Sequence, residues 1–452
     1  MLTNLTQIAD ITNGILIGDN TSIRSYSINS KIIYNNCMFI AICGKKFDGH
    51  NYINEAIKNG AQALLVQQYI RTIIPQIIVN DTIFSLGLIS AWKRSQFKNT
   101  VIGITGTSGK TSVKEMTVSI LQRIKKTIYT IDNMNNHIGV PLTLLNLNNT
   151  YKYAVIEIGA NNLYDISYIS NIVKPNIAII NNISIAHLEG FKNLNNIIKS
   201  KIQIFNYLKN NGTIIINYDD DHQKNILHTI KHNNILTFSI NNKNTDFFTS
   251  NIQINTDKIE FNLHTPIGIQ LINLFIIGGI HNIQNALASA VIAFTMGITL
   301  EDIANGLKYF KPIQGRMYPI FVSKNKLILN DAYNANPNSV IQAINILQKI
   351  TGPKLLIIGD MMELGTKTLF YHEYIGKKLS GTNINFIFSI GNYSKYITKN
   401  ISNAKHFLSS QDLITQLFIT IQNLQHYTIL FKGSYHSHIG KLIKIFLEKL
   451  KC

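Results

Sequence analysis

The chain has 452 residues, 45% of them hydrophobic, and a formal net charge of +18 at pH 7, room for about three domains with cores of their own. Such a charge admits nucleic acid or an acidic small substrate, but the lysines are scattered, with no run of five or six, which argues against a nucleic-acid stripe. Abundant Asn, Ile and Lys, whose codons are AT-rich, and only five arginines make base composition the simpler source of the charge.

Three cysteines, Cys37, Cys43 and Cys452, form neither a disulfide framework nor a metal pattern. A reducing cytoplasm is the expected compartment. The opening MLTNLTQIADITNGILIGDN lacks the basic start and apolar run of a signal peptide. The apolar stretch from Ala286 to Leu300 is broken by Ser, Thr and Gly and reads as a buried helix, so no membrane insertion is expected.

Up to about Asp81 short strands mix with a helix. CMFIAICG is an apolar strand, and NYINEAIKNGAQALLV reads as helix, glycine turn and strand. From about Ile83 to Gly315 the pattern alternates. VIGIT, YAVIEIG, NIAIINNI and GTIIINY are strands, with helices such as SVKEMTVSILQRI and NNIIKSKIQIFNYL between them. A more β-like insertion is expected around Ile235 to Ile277, before a helix from His281. From about Arg316 the rhythm restarts with KLILNDAYN, KLLIIGDM, INFIFSIG and YTILFKGS. The expected fold is therefore α/β in three domains. Residues 1–82 form a small α/β domain, 83–315 a doubly wound, mostly parallel sheet of P-loop type, and 316–452 a Rossmann-like sheet. Ligands of such sheets bind beyond the carboxyl ends of the strands.

VIGITGTSGKTSVKEM carries the clearest chemistry. Gly106, Gly109, Lys110 and Thr111 form GxxGKT between a strand and a helix. Glycines let amides turn onto phosphate oxygens, and the helix N-terminus adds its positive dipole end. Lys110 suits terminal phosphates and Thr111 magnesium. The usual phosphate-loop pattern fails at one position, where it wants glycine and Ile104 stands. Glu157 ends an apolar strand and is the candidate carboxylate for magnesium. His187 also follows an apolar strand; a lone histidine is more often structural than a ligand.

These pieces together resemble the Mur ligases, ATP-dependent amide-bond formers of peptidoglycan precursor synthesis. TGTSGKTS resembles that family's own phosphate loop, and NMNNHIGVPLT, VIEIGANN, NNISIAHLEGF and GGIHNIQNALAS resemble its central signatures. QGRM, NDAYNANPNS, GDMMELG followed by His372, and FKGS resemble the later ones, so the likeness spans the chain in order. DAYNANP and GDMMELG are similar to the member that adds D-alanyl-D-alanine to UDP-N-acetylmuramoyl-tripeptide. The resemblance implies that ATP phosphorylates the peptide's carboxylate, and that the dipeptide's amine displaces phosphate from the acyl phosphate. It implies ATP contacts at Thr105, Gly106, Thr107, Ser108, Gly109, Lys110, Thr111, Ser112, His281, Asn282, Asn285, Arg316, Asp331 and Tyr333. Catalytic roles fall on Lys110, Glu157, His187 and Lys201. Two magnesium ions are implied, with Thr111, Glu157, His187 and Lys201 as ligands, the lysine as a CO2-derived carbamate. Without the resemblance, helical spacing makes Lys201 a solvated lysine.

The resemblance also implies substrate contacts at Asn29, Ser30, Lys31, Phe39, Asp48 and His50 for the UDP end, at Asn135 and Asn136, and at Asn334, Asn336 and Lys432. Asn29-Ser30-Lys31 stands where the family has Asp-Thr-Arg, Gln203 where an acid is common, and Tyr435 where Arg is common. A monomer without nucleic-acid partners is expected. The rival readings are another Mur-type amide ligase, a basic nucleic-acid-associated P-loop ATPase, and a catalytically dead scaffold. Dispersed lysines argue against the second, and the intact Lys110, Thr111, Glu157, His187 and Lys201 against the third.

Overall fold

A computed structural model describes residues 3–44, 47–230 and 234–450; Cys452 lies outside them. Of the described cysteines Cys37 is buried and Cys43 exposed, both as free thiols. No helix among the described residues is long and apolar enough to cross a membrane.

Runs of Ile and Val buried on both faces demand a sheet covered on both sides. Six parallel strands meet that demand in the order Ile235–Phe238, Thr213–Asn217, Ile177–Ile180, Thr100–Thr105, Tyr153–Glu157, Thr127–Tyr129. From Thr100–Thr105 the chain winds first to one side and then to the other. The turn after Thr105 therefore opens at the switch point, where α/β sheets bind ligands. The helix Lys110–Leu121 leaves that turn and packs against the buried helix Ile280–Thr295.

The expected β-like insertion is a three-stranded antiparallel sheet, Phe248–Ile254, Ile259–Thr265 and Gly268–Leu274. Ile235–Phe238, at the start of the expected range, pairs with Thr213–Asn217 in the parallel sheet. An apolar run declares a strand but not its neighbour. The expected helix NNIIKSKIQIFNYL ends at Ile202 and tightens into a 3-10 turn over Gln203–Tyr207.

Earlier in the chain lies a five-stranded sheet, ordered Ile15–Ile17, Gln76–Ile78, Ala63–Val66, Cys37–Ile40, Ser25–Ser27. Later lies a six-stranded one, ordered Tyr318–Ser323, Lys326–Asp331, Tyr427–Lys432, Lys354–Ile358, Phe386–Ile390, Ala404–Phe407, parallel after its first pair. One apolar cluster runs from Ile156 and Ile180 through Leu188 and Phe191 to Leu356 and Leu364. It packs the carboxyl side of the central sheet against the last sheet, and a 530 Å³ cleft opens between residues 188–192 and 361–368.

Candidate active site

Gly109 caps the helix Lys110–Leu121 with φ 78°, a left-handed conformation open to glycine. A Cβ there would collide with Asn285 Oδ1 and Asn181 Nδ2. The loop is braced by the segment that follows the strand Ile177–Ile180. Asn182 Oδ1 accepts the Ser108 N–H at 2.8 Å, and Ser108 O accepts Asn181 Nδ2 at 3.0 Å and Asn182 Nδ2 at 2.9 Å. Thr107 Oγ1 donates to Ser184 O at 3.1 Å, and Thr105 Oγ1 donates to Ile158 O at 2.9 Å. Sequence reasoning missed Asn181 and Asn182; their one signal was their place directly after a buried strand. Lys110 Nζ lies over the loop, donating to Gly106 O at 2.8 Å and Thr107 O at 3.1 Å. Burial pushes its pKa down, Glu157 opposes that and Arg316 adds to it. Ser112 is half-buried in the first helical turn.

Glu157 is 1% exposed at the end of its strand. Its Oε1 accepts Asn135 Nδ2 at 2.8 Å, while its buried Oε2 has no partner. A buried carboxylate oxygen without a donor is costly, and a cation satisfies it. Thr111 is buried, and its hydroxyl accepts Arg316 Nη2 at 2.7 Å. His187 adopts φ 50° and brings Nδ1 to 2.5 Å from Glu363 Oε2. The imidazole is the main cause holding the Glu363 carboxyl below its ordinary range. Among the described residues no three His, Cys, Asp or Glu side chains converge on one point. The donors present fit magnesium rather than an all-protein cage, since that ion binds through one or two carboxylates plus phosphates and water.

Lys201 is 4% exposed, which corrects the solvated position that helical spacing alone suggested. Its ammonium has no hydrogen-bond or ion-pair partner among the described residues. Burial, and then the charge of Lys110, drive its pKa well below the ordinary lysine value. The neighbouring Gln203 leaves a buried Oε1 unpartnered.

Facing the loop from the last sheet, Arg316 stacks over the Tyr333 ring at 4.1 Å while it bonds Thr111. Asp331 pairs with Lys432 at 3.0 Å, and Lys432 Nζ also donates to Asn334 O at 2.6 Å. Asn336 Oδ1 caps the helix Pro337–Lys349 through Ser339 N at 2.9 Å, and its Nδ2 reaches Ser108 Oγ at 3.3 Å. Asn334 Oδ1 accepts the N–H of its neighbour Ala335 at 2.8 Å. Asn282 closes a capping box on Gly279, and Asn285 accepts Asn181 Nδ2 at 3.0 Å. Burial lowers the pKa of His281, with Asp331 opposing and Lys432 reinforcing, and its Nδ1 is buried without a partner.

The remaining candidates divide. Phe39 is 1% exposed, packed with Ala41, Ile53 and Leu64. Its ring belongs to the core, on a strand paired on both edges. Ser30 spends its hydroxyl on Glu55 Oε2, and Asn29 Oδ1 accepts the exposed Lys31's N–H at 3.0 Å. Asp48 Oδ1 accepts His50 N at 2.9 Å and lies 2.6 Å from His50 Nδ1, and these contacts hold its pKa down. Asn136 Oδ1 accepts Ile138 N at 3.1 Å and Gly139 N at 2.8 Å in the turn that leads into the next helix, and Asn135 bonds Glu157. His372, buried, accepts Met361 N on Nε2 at 3.0 Å and lies 2.7 Å from Thr368 O on Nδ1, a structural use. Tyr435 is exposed.

Three family descriptions match the chain in order: "Mur ligase family, catalytic domain" over 22–84, "Mur ligase middle domain" over 104–293, and "Mur ligase, glutamate ligase domain" over 315–435. The chain is 43% identical to the UDP-N-acetylmuramoyl-tripeptide–D-alanyl-D-alanine ligase of Buchnera aphidicola subsp. Acyrthosiphon pisum, covering 99% of this chain and 98% of that one. It is 38% identical to the ligase of the same name from Escherichia coli, covering 99% of each. MurF from Acinetobacter baumannii superposes with a TM-score of 0.94 at 33% identity over 99% of both chains. MurF from Thermotoga maritima, solved in complex with ADP, superposes at 0.84 with 26% identity, over 95% of this chain and 98% of that one. With the phosphate loop, the orphaned carboxylate and the full-length likeness in agreement, the chain belongs to the Mur ligase family.

Proposed function

We infer that this protein joins D-alanyl-D-alanine to UDP-N-acetylmuramoyl-tripeptide at the expense of ATP, in peptidoglycan precursor synthesis. The carrying observation is the full-length likeness to ligases of that name, with GKT after one strand and an unpartnered buried Glu157 oxygen at the end of the strand paired with it.

A carboxylate is a poor acyl donor, because its oxygen is a poor leaving group. The peptide carboxylate attacks the γ-phosphorus, ADP leaves, and an acyl phosphate results. The dipeptide's amine then attacks the carbonyl carbon, loses a proton, and expels phosphate with the bonding electrons. The first step brings two anions together, so the protein's task is positioning and neutralisation. The loop amides and Lys110 cradle the terminal phosphates, and Arg316 adds its fork from the facing sheet. Thr111 and Glu157 are suited to hold one magnesium ion, and His187 with a carbamate on Lys201 a second. When bound, magnesium screens the phosphate charge and polarises the attacked phosphoryl group. Asp331, Tyr333, Asn334, Asn336 and Lys432 line the facing side, where nucleotide and incoming dipeptide meet. In this proposal the domains divide at 82/83 and 315/316, and the protein acts as a cytoplasmic monomer.

The test is phosphate release with ATP and UDP-N-acetylmuramoyl-tripeptide, with and without D-alanyl-D-alanine. Stoichiometric pentapeptide and phosphate only when all three are present is the expected result. Turnover indifferent to the dipeptide would remove the assignment.

A further inference from the structure

One helical turn beyond Lys110 the same helix carries Lys114, and nothing in the reaction uses it. Lys114 is 0% exposed. A buried ammonium is costly unless paired and hydrogen-bonded. Here Nζ donates to Thr130 O at 2.6 Å and pairs with Glu115 Oε1 at 2.7 Å. Thr130, itself fully buried, follows the strand Thr127–Tyr129. Its N–H donates to Val155 O at 3.1 Å, and its Oγ1 accepts the Glu157 N–H at 2.7 Å. Contacts thus run unbroken from the Lys114 ammonium through Thr130 to the backbone of Glu157. Lys110 and Lys114, four residues apart, share a helix face. The first turn of the helix carries the phosphate-loop lysine, and the second is tied through Thr130 to the backbone of Glu157, the candidate magnesium ligand.

We propose that Lys114 is a positioning residue for Glu157: through Thr130 it sets the carboxylate's place relative to the phosphate loop, and so the affinity for magnesium beside bound nucleotide. The proposal rests on reading Glu157 as a magnesium ligand. Groups that orient a metal ligand commonly carry ten- to a hundredfold of metal affinity. A lysine that merely stabilises the fold carries none of that selectively.

The experiment measures ADP binding by calorimetry, without magnesium and across a magnesium titration, alongside thermal melts. The proteins are the wild type, Lys114→Met, Thr130→Val, Thr130→Ser and Glu157→Gln. Lys114→Met and Thr130→Val are expected to raise the magnesium half-saturation about tenfold, with metal-free ADP affinity unchanged. Thr130→Ser, which keeps the hydroxyl, is expected to behave as wild type. A folded Lys114→Met protein with wild-type magnesium half-saturation overturns the proposal, whatever its melting temperature. If Lys114→Met does not fold, Lys114→Gln, uncharged and one bond shorter but still polar, decides by the same criterion, while Thr130→Val tests the link from Thr130 to Glu157. Glu157→Gln is the separate control: should it leave the magnesium dependence intact, the metal-ligand reading itself falls, independently of Lys114.

Discussion

Lys201 is a lysine whose surroundings refuse its charge. Burial and the Lys110 ammonium both favour the neutral amine, the form whose lone pair attacks CO2. The product, after loss of a proton, is an anionic carbamate, the opposite charge in the same place. Wild-type protein in 13C-bicarbonate is therefore expected to show a carbamate carbonyl resonance that Lys201→Met lacks. The sign of the pH effect follows. The depressed pKa leaves the amine free at pH values where an exposed lysine is protonated, and lowering pH through that depressed value reprotonates it and erases the signal. Identical spectra from the two proteins would end the claim. Little of this was legible locally. Ile198 and Ile202 mark the helix's apolar face, but Lys201 is buried by tertiary packing that spacing does not report. Asn181 and Asn182 were hidden for another reason: asparagine is so common in this chain that two more carried no signal until their amides were seen gripping Ser108.

The phosphate loop and the helix Pro337–Lys349 meet at a single side chain with two uses. Asn336 caps its helix and also reaches Ser108. Asn336→Ala loses both and is expected to cost about 1 kcal/mol of stability, the usual worth of such a cap. Asn336→Ser keeps a capping oxygen and loses the reach. It is expected to melt like wild type yet raise the KM for D-alanyl-D-alanine more than that for the tripeptide. Full kinetic recovery in Asn336→Ser would leave the cap as the residue's only role. Most elements could be read from the chain, because buried parallel strands are near-continuous Ile and Val runs and the loops after them are polar. The sheet Phe248–Leu274 was legible only as β-rich. Its alternation is that of a half-exposed antiparallel meander, and Ile235–Phe238 gives no local sign that it pairs elsewhere.

Two separately wound sheets make one cleft, and few polar links hold its walls together. Arg316 to Thr111, Asn336 to Ser108 and His187 to Glu363 all cross from the central sheet's side to the last sheet's, above the shared apolar cluster. Arg316 is the strongest candidate for a clasp, since it stacks on Tyr333 and bonds Thr111 at once. Arg316→Ala is expected to weaken ATP binding and to increase the radius of gyration in small-angle scattering. An unchanged radius would mean the apolar cluster alone keeps the cleft shut. The clasp has a consequence for anyone designing a compound against this cleft. Lys110, Thr111 and Arg316 already have partners in the protein, so an inhibitor gains only the difference between the bonds it makes and those it displaces. Compounds that offer an acceptor to Arg316 and another to Lys110 in one rigid scaffold recover that loss. Compounds that displace those bonds with hydrophobic bulk alone leave the two cations without acceptors, and their potency is capped by that deficit.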